Sequence, residues 1–443
     1  MDIETPYRRE NEIHRALDRS QWLSASALAE AQAAQIERLV RHAQAHVPFY
    51  ADRLAPLFTR RGHFDLGGWQ KVKPLRRLDL REHFEALRSA SVPPEVGRVI
   101  PTKTSGSTGE PVQALKCKSQ SLAATASAAR FMNWHGFDYR LPWAAIRAKA
   151  AGVATYPEGR TRDSRWGPYW LQIPDQGPWR ELIMATPPEQ QLDWLHRVGR
   201  CYLNTFPVNV GSLIEAVREN PDLKPSIAAI VTLGEPVRQE LREKCRKVLD
   251  CEILDQYSTL ECGLVASQCP VSGHLHVHGE TMLVEALRED GSVCDIGEEG
   301  MACITPLLSY AMPLLRYVMS DLITMLPPCS CGRSLPLMSI SGGRMRSRFR
   351  FSGGTVMSPD FLGANYEEYL GATRWQCAQT GPETLEIRFV SQRPESEIRY
   401  TEMTALALQI LNRPVTINYK RIAEFPVTPG GKHFDYICEL DEA

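Results

Sequence analysis

A chain of 443 residues, 43% hydrophobic and 23% charged, has the composition of a globular protein of two or three domains at about 150 residues each. Its formal net charge of -1 excludes a bulk pull toward nucleic acid or an anionic membrane, so charge recognition falls to local clusters. No apolar run approaches the length of about 20 residues that a membrane span needs, and the charged opening MDIETPYRREN argues against a secretory leader. A cytoplasmic location is the resulting expectation, with the twelve cysteines read as thiols or metal ligands rather than disulfides.

In chain order, SASALAEAQAAQIERLVRHAQAH carries apolar residues at helical spacing and stops before Pro48, which predicts a long N-terminal helix. From about Arg98 the texture changes. RVIPTKT and VQALKCK read as short strands around a glycine-rich loop, and SQSLAATASAARFMNW as the helix that follows. Strand-like runs (WAAIRAK, CYLNTF, IAAIVTLG, CEILDQYS) then alternate with helix-like ones (EQQLDWLHRVG, VGSLIEAVREN, VRQELREKCRKVL). That alternation predicts an α/β body with a largely parallel sheet. After His276 strands and turns dominate. From about Arg346 a small α+β unit is expected, built on the strand TLEIRFV, the helix SEIRYTEMTALALQIL and the strand VTINYK.

The loop TKTSGSTGEPV joins the first two strands. Backbone N-H groups freed by Gly106 and Gly109, with the hydroxyls of Thr104, Ser105, Ser107 and Thr108, suit phosphate oxygens. It is not a P-loop of the Gly-Lys-Ser/Thr kind, because Glu110 and Pro111 follow Gly109. An ordinary hairpin turn fits the same residues.

Further segments give the loop a context. TSGSTGEP resembles the phosphate-binding signature of the acyl-adenylate-forming superfamily, and other segments follow in that family's order. TLGEP (Thr232 to Pro236) resembles its adenine segment. DQYSTLE (Asp255 to Glu261) resembles the segment whose aromatic ring stacks on adenine and whose glutamate reaches magnesium, and RYVMSDL (Arg316 to Leu322) the one whose aspartate holds the ribose. GGR, ending at Arg344, resembles the stretch before the domain hinge, and TPGGKHF the C-terminal lysine loop around Lys432. ERLVRHAQAHVPFY and CSCGRSLP are most similar to the phenylacetate-CoA ligase branch, including its capsule-synthesis relatives.

The resemblance implies an α/β fold with a large domain over 1–345, of mostly parallel sheets plus a β-rich subdomain, and a small α+β lid over 346–443 that carries Lys432. It implies an ATP site made of Thr104, Ser105, Gly106, Ser107, Thr108, Gly109, Gly234, Glu235, Pro236, Asp255, Tyr257, Ser258, Thr259, Asp321 and Arg344, with Glu261 on magnesium and Lys432, Glu261 and Arg344 in catalysis. Phe206, Gly234 and Tyr257 would border the substrate, and Trp134 and His135 either join them or are core aromatics. The implied reaction is attack of a carboxylate on the α-phosphorus of ATP, giving acyl-AMP and pyrophosphate, then transfer to coenzyme A. A carrier-protein thiol or an amine is the alternative acceptor, and a nucleotide-binding relative without catalysis is the alternative from another class. The partners are then a small carboxylate and its acceptor, without nucleic acid or membrane; the oligomeric state stays open.

A second constellation is chemical in its own right. Cys269, His276, Cys329 and Cys331 supply three thiolates and an imidazole, a tetrahedral zinc set with no vacant position and hence structural. Buried free cysteines would leave the same pattern. His274, His276 and His278 alternate along one strand face; His276 is preferred because GHLHV is similar to the capsule-synthesis pattern.

Three departures stand out. Glu110 replaces a lysine of the phosphate loop, Leu260 the hydroxyl residue before the glutamate, and Arg346 the hinge aspartate. In RMRSRFRF, Arg344, Arg346, Arg348 and Arg350 would share one strand face. Such a stripe fits a solvated edge, or a partner such as coenzyme A or an acidic carrier protein.

Overall fold

The structure, a computed structural model, describes residues 8–103, 112–149, 152–344, 349–354, 356–357, 363–411, 413–425 and 435–440. The chain opens with helices α1 (Arg8–Ser20) and α2 (Ala25–His46), the short turns α3 (Arg77–Glu82) and α4 (Phe84–Leu87), and the hairpin β1 (Val99–Lys103) and β2 (Gln113–Cys117). Then come α5 (Lys118–Trp134), β3 (Trp143–Arg147), β4 (Arg160–Asp163), β5 (Trp179–Ile183), α6 (Pro188–Val198), β6 (Cys201–Thr205), α7 (Pro207–Glu219), β7 (Ile227–Thr232), α8 (Gln239–Leu249) and β8 (Ile253–Leu254). An all-strand run follows: β9 (Gln256–Thr259), β10 (Gly263–Gln268), β11 (Leu275–Val277), β12 (Met282–Leu287), β13 (Glu299–Pro306), β14 (Tyr317–Leu326) and β15 (Leu337–Arg344). The chain closes with β16 (Phe349–Arg350), β17 (Val356–Met357), α9 (Gly363–Leu370), β18 (Ala372–Gly381), β19 (Thr384–Ser391), α10 (Tyr400–Leu411), β20 (Thr416–Arg421) and β21 (Tyr436–Cys438).

The long helix forms as its spacing predicts. Ser24 caps α2, its hydroxyl accepting from the Ala27 N-H at 3.1 Å, and Pro48 lies just past its end. Leu28, Ile36, Leu39, Val40 and Ala43 form its buried stripe. Helix α1 has no counterpart in the sequence reading. Its run RRENEIHRALDRS turns Ile13, His14 and Leu17 to the interior, where Ile13 and Leu17 meet Ala126, Ala129 and Trp170 and the His14 ring lies 6.0 Å from that of Trp170.

The alternating region makes a six-stranded sheet in the order β4-β5-β3-β6-β7-β8. It is parallel throughout except at the β4–β5 edge. Helices α6, α7 and α8 cover the face bearing Ala144, Ile146, Leu182, Leu203 and Ile230. On the other face Trp143, Ala145, Tyr202, Ala229 and Val231 pack with Phe131, Phe137 and Trp166. Burial on both faces explains why these strands read as continuous apolar runs. The edge strand β4 (RTRD) is exposed along its length, which is why no hydrophobic pattern announces it.

The strands after β8 make a seven-stranded antiparallel sheet in the order β12-β13-β14-β15-β11-β10-β9. Its core takes in α2 together with Tyr50, Leu54, Leu57, Tyr257 and Tyr317. Of these two sheets the six-stranded one is mainly parallel and the seven-stranded one antiparallel, so the expectation of mostly parallel sheets with a β-rich part holds for the first sheet and not the second. The third sheet, β20-β19-β18-β21, has α9 and α10 against its own core of Tyr366, Leu385, Phe389 and Met403. It docks on α8 and the turn before it. Arg238 lies 3.1 Å from Asp435 and over the rings of Trp375 and Tyr436 at 4.9 and 5.2 Å, while Lys244 and Arg218 both pair with Glu367. Among the described residues no helix is long and apolar enough to cross a membrane.

Candidate functional site

Strands β1 and β2, whose last pair is Lys103 with Gln113, flank the glycine-rich segment in the sequence. Thr104, Ser105, Gly106, Ser107, Thr108 and Gly109 lie outside the described residues, as do Lys432, Arg346 and Arg348. The root of the hairpin is fixed. Val112 and Ala114 belong to the same core as Tyr257, Cys262 and Tyr317. Lys116, which the sequence reading did not single out, faces Glu261 and Cys262. Burial lowers its pKa, and the Cys262 and Glu261 charges oppose that shift.

Two motifs 64 residues apart meet at one hydrogen bond. The Tyr257 hydroxyl donates to Asp321 Oδ2 at 2.8 Å. Arg344 is the backbone partner of Asp321 on the neighbouring strand, although its side chain is outside the description. Tyr257 points inward from β9 and Ser258 outward. Thr259 then accepts from the Cys262 N-H at 2.9 Å and closes the turn that holds Glu261. Glu261 is buried and accepts from Arg77 Nη1 at 3.1 Å. Leu260, in the position of a hydroxyl residue, faces solvent.

Asp255, which joins β8 to β9, is held by Arg242 at 3.7 Å and Thr232 Oγ1 at 3.4 Å. Burial raises its pKa to about 6, outweighing Arg242. Gly234 takes φ 78° at the end of β7, a conformation that favours glycine. Gly234, Glu235 and Pro236 line a cleft of about 380 Å³ together with Trp375 and Tyr436. Phe206 and Tyr257 are buried and stand outside that lining. Trp134 donates to Gln21 Oε1 at 2.9 Å and His135 bonds the Gln268 carbonyl at 3.0 Å, which fits the core-aromatic alternative.

The proposed metal ligands converge. One ligand atom from each of Cys269, His276, Cys329 and Cys331 lies within 4.8 Å of the others. Zinc-sulfur bonds of about 2.3 Å at tetrahedral angles put two sulfurs about 3.8 Å apart; Cys269 and Cys329 Sγ stand at 3.7 Å. His276 Nε2 is 3.2 Å from Cys331 Sγ. Its Nδ1 pairs with the Leu335 carbonyl at 3.1 Å, leaving Nε2 as the ligand. Burial lowers the pKa of this imidazole to about 4, which keeps it in the neutral, ligating form. The other two histidines are elsewhere. His274 is exposed, and His278 is engaged by Arg130 at 2.9 Å and Ser267 at 3.0 Å.

No family model and no curated protein sequence matches the chain. The fold is that of the AMP-forming acyl-CoA ligases of known structure, a mixed α/β architecture with several sheets. A structure of 2-hydroxyisobutyryl-CoA ligase in its postadenylation state matches with a TM-score of 0.75 at 16% identity, over 95% of this chain and 92% of that one. The anthranilate CoA ligase AuaEII, with anthranoyl-AMP, matches at 0.55 and 16% identity over 75% of this chain and 64% of its own. O-succinylbenzoate coenzyme A synthetase from Bacillus subtilis, with ATP and a magnesium ion, matches at 0.51 and 16% identity over 76% and 68%.

Proposed function

We propose that the chain activates a carboxylic acid with ATP and passes the acyl group to coenzyme A, in the manner of the phenylacetate-CoA ligase branch of the acyl-adenylate-forming superfamily. The observation that carries this reading is the bond between Tyr257 and Asp321 beside the Glu261 turn, because it joins the adenine, ribose and magnesium segments at one place. The shared fold supports it.

In this reading Asp321 accepts from the two ribose hydroxyls, with one of its oxygens already set by Tyr257. The Tyr257 ring and the Gly234–Pro236 turn border the adenine, with Asp255, Ser258 and Thr259 beside it. Glu261 would hold magnesium, which neutralises phosphate charge when bound, and Arg77 orients that carboxylate. The hydroxyl loop cradles the phosphates. A carboxylate oxygen of the substrate attacks the α-phosphorus, the bond to pyrophosphate breaks, and Lys432 on the C-terminal unit, with Arg344, meets the charge that develops. The division at residue 345 makes 346–443 the lid. The four-residue Cys/His cluster would hold a structural zinc that ties the β10–β11 turn to the segment before β15.

Exchange of labelled pyrophosphate into ATP, run across a panel of carboxylic acids, tests the reading. Lys432→Ala is expected to lower exchange about a hundredfold to a thousandfold, with ATP binding retained. Exchange by that variant at the wild-type rate would remove Lys432 from the mechanism. ATP binding without exchange for any acid would leave a nucleotide-binding protein. Thioester formation from the acyl-AMP with coenzyme A, against a carrier protein and amines, identifies the acceptor.

A further inference from the structure

Neighbouring strands of the six-stranded sheet share faces by period two and register. On β3 the row is Trp143, Ala145 and Arg147, flanked by Tyr202 and Asn204 on β6. The pairs Ala145 with Glu181 and Glu181 with Arg160 extend the row to β5 and β4. Its first half is the aromatic core around Tyr202 and Trp166. Its second half, at the carboxyl ends of β3 and β6, is charged. That end of an open α/β sheet is where ligands bind, and here it also carries the Gly234 and Asp255 segments.

The charges in this row do not balance. Lys149 Nζ, Arg162 Nη1 and Arg160 Nε stand 3.2, 3.4 and 3.6 Å from one carboxylate, Glu181, which is 1% exposed. Arg147 is a fourth cation. Its Nη2 donates to Asn204 Oδ1, the Asn204 amide donates to the Val231 carbonyl at 2.8 Å, and the Arg147 Nε is buried without a partner. Burial lowers the Arg147 pKa, the like charge of Arg162 lowers it further, and Glu181 opposes them. A guanidinium drawn out of water beside another cation is costly to hold unless an anion meets it. Glu181, the carboxylate that acts on it, is already shared by three other cations.

We infer that Arg147, backed by Arg162 and Lys149, receives an anionic group at the far end of the acyl substrate, so that the acid this chain activates carries a second acidic group. This inference rests on the carboxylate-activating reading. A phosphate of coenzyme A has the same chemistry, and the two sources report in different half-reactions.

The test is pyrophosphate exchange with matched acids, terephthalate against benzoate and adipate against hexanoate, in the wild type and in Arg147→Gln. One charge-assisted contact is worth about tenfold to a hundredfold. The wild type is expected to prefer the diacid in kcat/KM by that factor. Arg147→Gln is expected to abolish the preference by raising KM for the diacid while using the monoacid as before. Arg162→Gln, at a half-exposed position, should shift the ratio the same way by less, and it answers for any folding defect in Arg147→Gln. Equal use of both members of each pair by the wild type, or an unchanged ratio in both variants, overturns the inference. A change confined to KM for coenzyme A, and absent with dephospho-coenzyme A, overturns the substrate assignment in favour of the acceptor's phosphate. If no acid supports exchange, the activation reading falls instead. Calorimetric titration of the same acids then decides the anion site alone, with tighter diacid binding by the wild type than by Arg147→Gln expected and equal binding refuting it.

Discussion

Replacing Cys331 by serine removes one corner of the Cys/His cluster and leaves the rest of the fold intact, since Cys331 is only partly buried. Two of the sulfurs already stand 3.7 Å apart, close to tetrahedral spacing, and the nitrogen–sulfur pair at 3.2 Å has to open by only about 0.3 Å. Little reorganisation would then oppose binding. Structural zinc sites are worth about 10–16 kcal/mol, or about 2.5–4 kcal/mol for each of four ligands shared equally. Loss of one therefore weakens zinc by about a hundredfold to a thousandfold. Protein purified without chelator should carry one zinc per chain by elemental analysis, and Cys331→Ser should surrender it to a chelating dye at far lower dye concentration. Cobalt(II) substitution gives a second readout, because thiolate-to-cobalt absorption reports the sulfur count. Wild-type protein lacking stoichiometric zinc, and unchanged in stability by added zinc or by chelator, would refute the reasoning.

Tyr257→Phe keeps the ring and deletes the bond to Asp321. A bond to a charged acceptor is worth about 1.5–3 kcal/mol, less at a site open to water, so KM for ATP should rise about three- to tenfold with kcat nearly unchanged; initial-rate kinetics check this. Asp255 has its pKa raised to about 6 by burial, so the folded chain binds its proton more tightly than the unfolded one. Its charge costs nothing at pH values below its unfolded pKa, increasingly more between there and about 6, and its full amount above, at most about 3 kcal/mol. In urea titrations Asp255→Asn should therefore gain on the wild type as pH rises from about 4 to 7, and a pH-independent difference would count against the buried charge.

Residues with local signatures were legible in the sequence. The stripe of α2, and the buried strands β3, β6 and β7, follow from spacing and apolar runs that the tertiary structure reinforces. The cluster of Cys269, His276, Cys329 and Cys331 was legible because thiolates and imidazole are rarely grouped without cause. Elements and partners that lack local pattern were not. Strand β4 is a charged edge, α1 buries two side chains, and the pairing of β11 with β15 joins residues far apart in the chain, Leu275 with Met338 and His276 with Leu337. The cations around the site were missed for the same reason. Lys116, Arg77 and Arg147 acquire meaning only from the carboxylates and carbonyls that folding brings to them, and nothing in their own neighbourhoods marks them out from the other basic residues.

Arg238 stands at the start of α8 and is clasped by Trp375, Asp435 and Tyr436 of the C-terminal sheet and its approach. Its carboxylate partner Asp435 would release it readily in concentrated salt, which screens exposed ion pairs. The rings of Trp375 and Tyr436 supply apolar contact area that salt does not dissolve. The seam beside α8 thus joins an ionic fastening to a greasy one, and raising ionic strength loosens the first while leaving the second gripping.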